Sequence, residues 1–179
     1  MFLFFIILLA VVGAFGPIDD LPSKCKLPLK TGTTPCKTGK KEIRYYFDVN
    51  AFMPLAFEYT GCGGNDNNFD SAGWCRDVCL PMDANFCQGG KQLPKPETCK
   101  EHKDCGPKGY CIELYPNSKV CCDKKITDEI NADWANCPKG KKPVNKHEWE
   151  VLLGKTCKSK FCPPNTTCSQ GKHFSVCCK

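Results

Sequence analysis

The sequence predicts a small disulfide-rich protein: an α+β domain with a twisted hairpin and a C-terminal helix, followed by two small six-cysteine repeats. Three observations support this prediction. The 179-residue chain contains 17 cysteines, close to a tenth of its length, which is typical of a disulfide scaffold. Its first residues are apolar, as in a secretory signal peptide, and export allows cysteines to pair. From Cys87 onward, the cysteines occur twice in the same order.

The predicted signal peptide comprises residues 1–16, MFLFFIILLAVVGAFG, and cleavage could follow Ala14 or Gly16. This segment is shorter than the roughly 20 residues that a bilayer requires. An ordinary N-terminal strand or buried helix is the alternative. No later segment is apolar enough to span a membrane. We therefore expect a secreted, extracellular protein with no membrane association once the signal peptide is removed.

The charge pattern and the motifs argue against several classes of function. The net charge is +6, but the lysines are scattered and no basic run is interleaved with aromatics, so we expect no nucleic-acid partner. The sequence contains no paired carboxylates, nucleophile elbow or phosphate loop. We therefore expect that the protein is not an enzyme and binds no cofactor. His102, His147 and His173 lie among cysteines, but their spacing does not match a zinc finger, and we expect no metal.

The segment 25–79 has the pattern of a hairpin followed by a helix. Residues 43–49 are aromatic and β-branched, residues 55–60 form a second extended run, and the stretch between them is turn-prone. Ser71 then fits the N-cap of a short helix that carries two cysteines one turn apart. These features predict the α+β domain.

Four motifs and one cysteine give this segment a specific resemblance. They are Cys25, PCK at Pro35–Lys37, RYYFD at Arg44–Asp48, FEYTGCGGNDNNF at Phe57–Phe69 and SAGWCRDVC at Ser71–Cys79. Together they span about 55 residues, and the segment resembles the Kunitz, or pancreatic trypsin inhibitor, family. The resemblance implies a Kunitz domain at residues 25–79.

The resemblance also implies specific roles for individual residues. It pairs Cys25 with Cys79 and Cys36 with Cys62, and it makes Asn67 a buried asparagine that hydrogen-bonds the loop backbone. In this family, the residue after the second cysteine enters the specificity pocket of a serine protease.

By this match the residue that enters the pocket is Lys37, and the bond presented to the enzyme joins Lys37 to Thr38. A lysine suits the pocket of a trypsin-like protease, which has a carboxylate at its base. The implied protease-binding segment is Pro35, Cys36, Lys37, Thr38 and Gly39.

The loop departs from the family pattern in length. Each limb is two residues longer than usual, near TGTTP and near TGKKE. If the two residues after Lys37 were mobile, ordering them on docking would cost roughly 2 to 4 kcal/mol. Gly39 favours such mobility. The longer loop also makes Lys40 and Lys41 alternatives to Lys37 as the presented side chain.

A second departure is a missing cysteine. The cysteine that the family carries in the hairpin falls on Pro54, which leaves Cys75 unpaired and explains the odd total. The loss of such a disulfide typically lowers the free energy of unfolding by about 2 to 5 kcal/mol. Cys75 is then a buried inert thiol, a link to another molecule, or a partner for a rearranged repeat cysteine.

The two repeats occupy residues 87–122 and 137–178. Their cysteine steps are 12, 6, 6, 10, 1 and 20, 5, 6, 9, 1, and each ends in a valine followed by a CC doublet. Six cysteines allow 15 pairings, and the spacing does not choose among them, although each doublet should tie two different partners. The repeats are similar to the lustrin-type cysteine-rich repeats found beside Kunitz domains in secreted nematode proteins.

Two short amphipathic helices are predicted in and between the repeats. The first places Ile126, Ile130 and Trp134 on one face, with Thr127 as its N-cap. The second, at residues 149–154, accounts for extra length in the second repeat and carries Trp149, Leu152 and Leu153 on one face up to Gly154. Either helix could form local core or a partner-docking patch.

The predicted function is a secreted inhibitor of trypsin-like serine proteases that presents Lys37, with the repeats as spacers or as a second contact surface. The alternative is an extracellular structural or interaction protein, or a channel-blocking toxin, on a Kunitz scaffold without inhibition. Asn165 opens the sequon Asn-Thr-Thr and is a candidate for glycosylation in a secreted chain.

Overall fold

The structure is a computed structural model, and it describes residues 21–37, 39–80, 87–93, 98–115, 118–147 and 150–179. The predicted signal peptide, Thr38 and Trp149 lie outside the described residues. Within these ranges, no helix has the length and apolar character needed to cross a membrane.

A two-stranded antiparallel hairpin forms the first part of the fold. Strand β1 is Glu42–Asp48 and strand β2 is Met53–Tyr59, in register from Glu42 opposite Tyr59 to Asp48 opposite Met53. The turn between them is closed by the buried carboxylate of Asp48, which accepts hydrogen bonds from the backbone N–H groups of Asn50 (3.0 Å) and Ala51 (2.8 Å). The predicted hairpin is therefore present.

Helix α1, Ala72–Cys79, follows the hairpin and packs against both strands. Ser71 caps it, because its hydroxyl accepts a hydrogen bond from the backbone N–H of Trp74 at 3.1 Å. The Cys25–Cys79 disulfide ties the last residue of α1 to a short 3₁₀ helix at Ser23–Lys26. Hairpin and helix together confirm the predicted α+β arrangement.

The remaining elements lie in the two repeats and in the segment between them. Helix α2, Lys124–Trp134, lies between the repeats. Short 3₁₀ helices occur at Gln88–Gly90, His102–Cys105 and Cys157–Ser159. The further strands are β3 Gly109–Tyr115, β4 Ser118–Asp123, β5 Asn145–His147, β6 Glu150–Val151, β7 Leu153–Gly154, β8 Thr167–Gln170 and β9 Ser175–Cys178.

Both repeats have the same disulfide connectivity. In each, the first cysteine pairs with the sixth, the second with the fourth and the third with the fifth, so each doublet does tie two different partners. The pairs are Cys87–Cys122, Cys99–Cys111 and Cys105–Cys121 in the first repeat and Cys137–Cys178, Cys157–Cys168 and Cys162–Cys177 in the second.

Backbone hydrogen bonds outside the strands repeat as well. Asp123 N–H donates to the carbonyl of Lys91, and Lys179 N–H donates to the carbonyl of Lys142, both at 2.9 Å. Each of these bonds joins the residue after a CC doublet to a segment near the start of its repeat. The two repeats are therefore two copies of one small fold.

The copies differ in what they pair with. Strands β3 and β4 form a separate two-stranded sheet, whereas β7, β9 and β8 continue the hairpin into a five-stranded sheet of order β1-β2-β7-β9-β8. The link is a parallel pairing of Ala56 in β2 with Gly154 in β7. The second repeat therefore packs on the hairpin and does not extend from it as a spacer.

The helix predicted at residues 149–154 is wrong, because the described residues there form β6 and β7. Leu152 N–H donates to the Val144 carbonyl at 2.9 Å, and Leu153 lies opposite Val176 in β9. Leu152 and Leu153 are both buried but belong to different apolar clusters. Successive side chains of an extended backbone point in opposite directions, so Leu152 and Leu153 can enter two different clusters. On a helix the two side chains would lie on one face.

The predicted N-cap of the other helix is also wrong. Helix α2 begins at Lys124, three residues before Thr127, and its N-cap is Asp123. The Asp123 carboxylate accepts a hydrogen bond from Ile126 N–H at 3.0 Å, and the Thr127 hydroxyl donates to the Asp123 carbonyl at 2.8 Å. Aspartate and threonine are both good caps, and the chain uses the one that directly follows the CC doublet.

One face of the hairpin forms a core that is shared with the second repeat. This shared core contains side chains that are at most 4 % exposed. Its members from the hairpin region are Tyr46, Ala51, Leu55 and Phe57, and those from the rest of the chain are Ile130, Leu153, Phe174, Val176 and Cys178. The apolar face of α2 is therefore used inside the molecule, through Ile130, and is not a free docking patch.

Two buried carboxylates fasten the second repeat in place. Asp133 of α2 accepts hydrogen bonds from the backbone N–H groups of Lys172 (2.8 Å), His173 (2.6 Å) and Phe174 (3.2 Å), which fixes the turn between β8 and β9. Asp48, in the hairpin, forms an ion pair with Lys155 Nζ at 3.2 Å. Both groups are satisfied by partners, as buried charges require.

Candidate functional site

The loop of residues 31–39, hereafter the binding loop, carries Lys37 on its exposed surface. Pro35 and Lys37 are exposed, and Cys36 and Gly39 are half-buried. The Cys36–Cys62 disulfide, with 5.7 Å between its Cα atoms, joins the loop to the glycine-rich segment after β2. Thr38, assigned to the same site, lies outside the described residues.

The first limb of the binding loop is hydrogen-bonded along its length. Thr60 N–H donates to the Thr31 carbonyl, and Thr33 N–H donates to the Cys62 carbonyl, both at 2.9 Å. This limb contains the two extra residues near TGTTP. The added length is therefore taken up in backbone pairing with residues 60–62.

The second limb is held by close packing. The half-buried Gly39 donates its N–H to Cys36 Sγ at 3.1 Å. A Cβ built on Gly39 would overlap the backbone carbonyl of Gly61, and one on Gly61 would come within 2.7 Å of the Gly39 backbone. Two glycines thus let two backbones touch. Gly39 serves this contact, whereas the sequence suggested that it loosens the loop.

The three lysines of the loop region differ in their partners. Lys41 Nζ forms an ion pair with Glu58 Oε1 at 2.9 Å, across the hairpin. Lys37 and Lys40 are exposed and have no hydrogen bond or ion pair to any described residue. Lys41 is therefore the least available of the three for an external partner.

Asn67 fixes the segment that precedes the loop. It is 1 % exposed, and its Nδ2 donates to the carbonyls of Leu27 (2.8 Å) and Phe47 (3.0 Å). Its Oδ1 accepts from the Phe47 N–H at 2.8 Å. Asn65 adds a bond from its Nδ2 to the Pro28 carbonyl at 2.8 Å. Asn67 is therefore buried, as the resemblance implies, but the backbone that it hydrogen-bonds belongs to Leu27 and Phe47 and not to the binding loop itself.

Comparison with known proteins gives these features a family. The model of the Kunitz/Bovine pancreatic trypsin inhibitor domain matches residues 24–80. The major allergen Ani s 1 of Anisakis simplex is 32 % identical over 97 % of this chain and 94 % of its own length. A BPTI/Kunitz inhibitor domain-containing protein of Caenorhabditis elegans is 36 % identical over 87 % of this chain and 89 % of its own. The chain belongs to the Kunitz family.

Other similar proteins match less than half of this chain. The Kunitz-type serine protease inhibitor homolog dendrotoxin K of Dendroaspis polylepis polylepis is 38 % identical over 41 % of this chain and 87 % of its own. The crystal structure of conkunitzin-S1, a Kunitz-fold cone snail neurotoxin, is 42 % identical over 33 % of this chain and 98 % of its own, with a TM-score of 0.29.

The Kunitz motifs identified the loop, the cysteines and Asn67 from the sequence. They did not predict the contacts that hold the longer loop in place. Gly61 and Glu58 were missed as supporting residues. The GCGG motif marks Gly61 as unusual, since it stands in a run of glycines with positive φ (94° for Gly61). No local signal shows that its neighbour in space is Gly39.

Cys75 is the free thiol of this Kunitz domain, and it is fully buried. It packs among the hairpin and helix residues, and burial raises the pKa of its thiol because the thiolate would be desolvated. The sixteen other cysteines form eight disulfides. A link from Cys75 to a repeat cysteine is therefore absent from the structure.

We expect a thiol reagent to leave the native protein unmodified at neutral pH and to label one residue, Cys75, after denaturation without reduction. The physical reason is that the reactive thiolate is both scarce and inaccessible. Mass spectrometry of the labelled peptides measures this. The variant Pro54→Cys is expected to lose that label and to gain about 2 to 5 kcal/mol of stability by closing a third bridge. Rapid native labelling of Cys75 would contradict the prediction.

Three sulfurs in the first repeat lie close together without forming a metal site. The Sγ atoms of Cys99, Cys105 and Cys111 are within 4.8 Å of one another. All three are in disulfides, Cys99–Cys111 and Cys105–Cys121. A metal binds the deprotonated thiol, so sulfurs in a disulfide are not ligands. This cluster belongs to the disulfide framework.

Replacing Gly39 by alanine is expected to weaken protease inhibition by about tenfold or more, because the new Cβ would push the loop off Gly61. Each residue that then has to be ordered on docking costs about 1 to 2 kcal/mol. Gly73→Ala is the matched control. Gly73 lies inside α1, where a Cβ would meet Ser71 Oγ at 4.0 Å, an ordinary contact. Titration of trypsin with both variants measures the difference, and equal inhibition would contradict the expected bracing.

Proposed function

We propose that the protein is a secreted inhibitor of trypsin-like serine proteases that presents Lys37 to the specificity pocket of the enzyme. The contact segment is Pro35 to Gly39, including Thr38, and the bond offered to the enzyme follows Lys37. The protein acts by binding and is not itself an enzyme. The Kunitz family and the relatives named as inhibitors support this proposal.

The observation that carries the proposal is the combination of an exposed Lys37 with a binding loop fixed on both sides. The first limb is hydrogen-bonded to residues 60–62, and the second is packed on Gly61. A loop already in its bound shape loses little entropy on docking, which favours tight and slowly reversible binding. The lysine ammonium then supplies a compact positive charge for a carboxylate at the base of the pocket.

A second exposed lysine, Lys108 in the first repeat, is an alternative to Lys37 as the presented residue. It lies between two disulfide-bonded cysteines, in CGPKGYC. Its carbonyl, however, accepts a hydrogen bond from Lys124 N–H at 2.9 Å. A protease must place the carbonyl of the bond it attacks in its own oxyanion hole. Lys108 is therefore a poor candidate.

Secretion is supported by the disulfides. Eight bridges in one chain are typical of an oxidising compartment. We assign residues 1–16 as the signal peptide on their composition.

Stoichiometric titration of trypsin with the purified secreted protein tests the proposed function. We expect a linear loss of activity that ends at an equimolar ratio, with chymotrypsin much less affected because its pocket lacks the carboxylate. Absence of trypsin inhibition at micromolar concentration would overturn the proposal. It would favour the alternative of an interaction protein on a Kunitz scaffold without inhibition.

A further inference from the structure

A surface turn next to the outermost strand of the five-stranded sheet carries the sequon Asn165-Thr166-Thr167. Asn165 is exposed and has a φ of 63°, in the left-handed region. Asparagine tolerates this conformation better than most residues. The Thr166 hydroxyl donates to the Pro163 carbonyl at 2.6 Å, which closes the turn behind Asn165. The amide of Asn165 is therefore presented to solvent by a formed turn.

The strand that follows this turn is an edge strand without a second strand partner, although the Cys157–Cys168 disulfide joins it to the 3₁₀ helix Cys157–Ser159. Strand β8 ends the order β1-β2-β7-β9-β8 and pairs with β9 alone. At its far end, Asn136 Nδ2 donates to the Gln170 carbonyl at 2.9 Å. Within the described part of the chain, Thr167, Cys168 and Ser169 make no backbone hydrogen bond to a segment other than β9. Such an edge is a template for pairing with another chain and is normally protected.

We propose that Asn165 carries an N-linked glycan and that this glycan covers the open edge of β8. The inference rests on the secretion included in the proposed function, since the modifying enzymes act in the secretory pathway. The donor is a lipid-linked oligosaccharyl pyrophosphate. A bond forms between Asn165 Nδ2 and the anomeric carbon of the first sugar. The bond from that carbon to the pyrophosphate oxygen breaks, the amide loses one proton, and the lipid pyrophosphate leaves.

The residues around Asn165 fit this modification. Thr167, the sequon hydroxyl, is exposed, and its Oγ1 accepts a hydrogen bond from the exposed Lys141 Nζ at 2.5 Å, so no core contact competes for it. Thr167 is also the first residue of β8. A bulky polar group two residues before the strand therefore stands beside its unpaired backbone.

The glycan would lie at one edge of the sheet, and the binding loop lies near the other edge. The loop leads into β1, and β1 and β8 are the two outer strands of the sheet. Four inter-strand spacings separate them, or roughly 19 Å at about 4.8 Å each. We therefore expect the glycan to leave the equimolar titration of trypsin unchanged.

The test is intact-mass analysis of the full chain secreted from a eukaryotic cell line, before and after treatment with an N-glycosidase. We expect a mass decrease and conversion of Asn165 to aspartate in the corresponding peptide. Asn165→Asp keeps a residue that tolerates the turn and should remove the glycan. Thr167→Ser keeps the sequon and should retain it.

The covering role is tested by sedimentation of the glycosylated protein and of Asn165→Asp over a range of concentrations. We expect the variant to self-associate at concentrations where the glycosylated protein stays monomeric. If the secreted protein inhibits trypsin at an equimolar ratio while Asn165 is unmodified, the glycosylation proposal is wrong and the inhibitor proposal still stands. An Asn165→Asp variant that is as monomeric as the glycosylated protein would overturn the covering role.

Discussion

Replacing Lys37 by alanine is expected to weaken the inhibition of trypsin by three to six orders of magnitude, since a central anchor residue of an interface contributes about 4 to 8 kcal/mol. The variant removes the ammonium and leaves the pocket carboxylate of the enzyme without its partner. The fold should be unaffected, because Lys37 is exposed and has no hydrogen bond or ion pair to a described residue. Inhibition constants from steady-state titration measure the effect.

Two neighbouring lysines provide matched controls for this result. Lys40→Ala removes another exposed charge three positions further on and should change inhibition by less than about tenfold, as expected for a charge at the rim of an interface. Lys41→Ala removes the ion pair with Glu58 and should have a similarly small effect, because exposed ion pairs contribute about 0 to 1 kcal/mol. If Lys37→Ala inhibited as well as the wild type while Lys40→Ala did not, the assignment of Lys37 would be wrong.

Replacing Phe174 by alanine is expected to destabilise the whole protein by about 3 to 5 kcal/mol, the range for deleting a buried aromatic ring. Phe174 is fully buried in the shared core with Leu55 and Phe57 of the hairpin. Because one core serves the hairpin and the second repeat, the loss should lower the stability of both together. Denaturant unfolding, followed by tryptophan fluorescence and by residual trypsin inhibition, should give coincident transitions at a lower midpoint.

The two valines before the CC doublets make a matched pair for this prediction. Val176 is fully buried in the shared core, whereas Val120 is 2 % exposed in a small cluster of the first repeat. Val176→Ala should lower the midpoint for loss of inhibition, and Val120→Ala should leave it nearly unchanged. If both variants, or neither, shifted that midpoint, the hairpin and the second repeat would not be one cooperative unit.

The sequence predicted the parts of the fold that are encoded locally. The hairpin, the helix capped by Ser71 and the Kunitz motifs each occupy a short, continuous stretch with a strong pattern. The order of the cysteines also revealed the repeats. Their connectivity was left open among 15 pairings by the spacing, because a disulfide depends on distances that exist only in the folded chain.

The parts that sequence could not predict depend on partners far along the chain. Leu152 and Leu153 fit a helical pattern, but they contribute to two different cores, and β7 begins at Leu153. Gly39 predicted a mobile loop from sequence, but in the structure its backbone packs closely against Gly61. The second repeat joins the sheet of the hairpin through a parallel pairing of Ala56 with Gly154, which no local sequence pattern predicts.

The shared core has a consequence for how the protein is made. The hairpin is synthesised early, but the segments that cover its apolar face, Leu153 and Phe174 to Val176, are made long afterwards. During that interval the face with Leu55 and Phe57 is uncovered, and such surface is prone to aggregate or to be bound by chaperones. The native fold of the hairpin is therefore completed late, when the second repeat has closed its three disulfides.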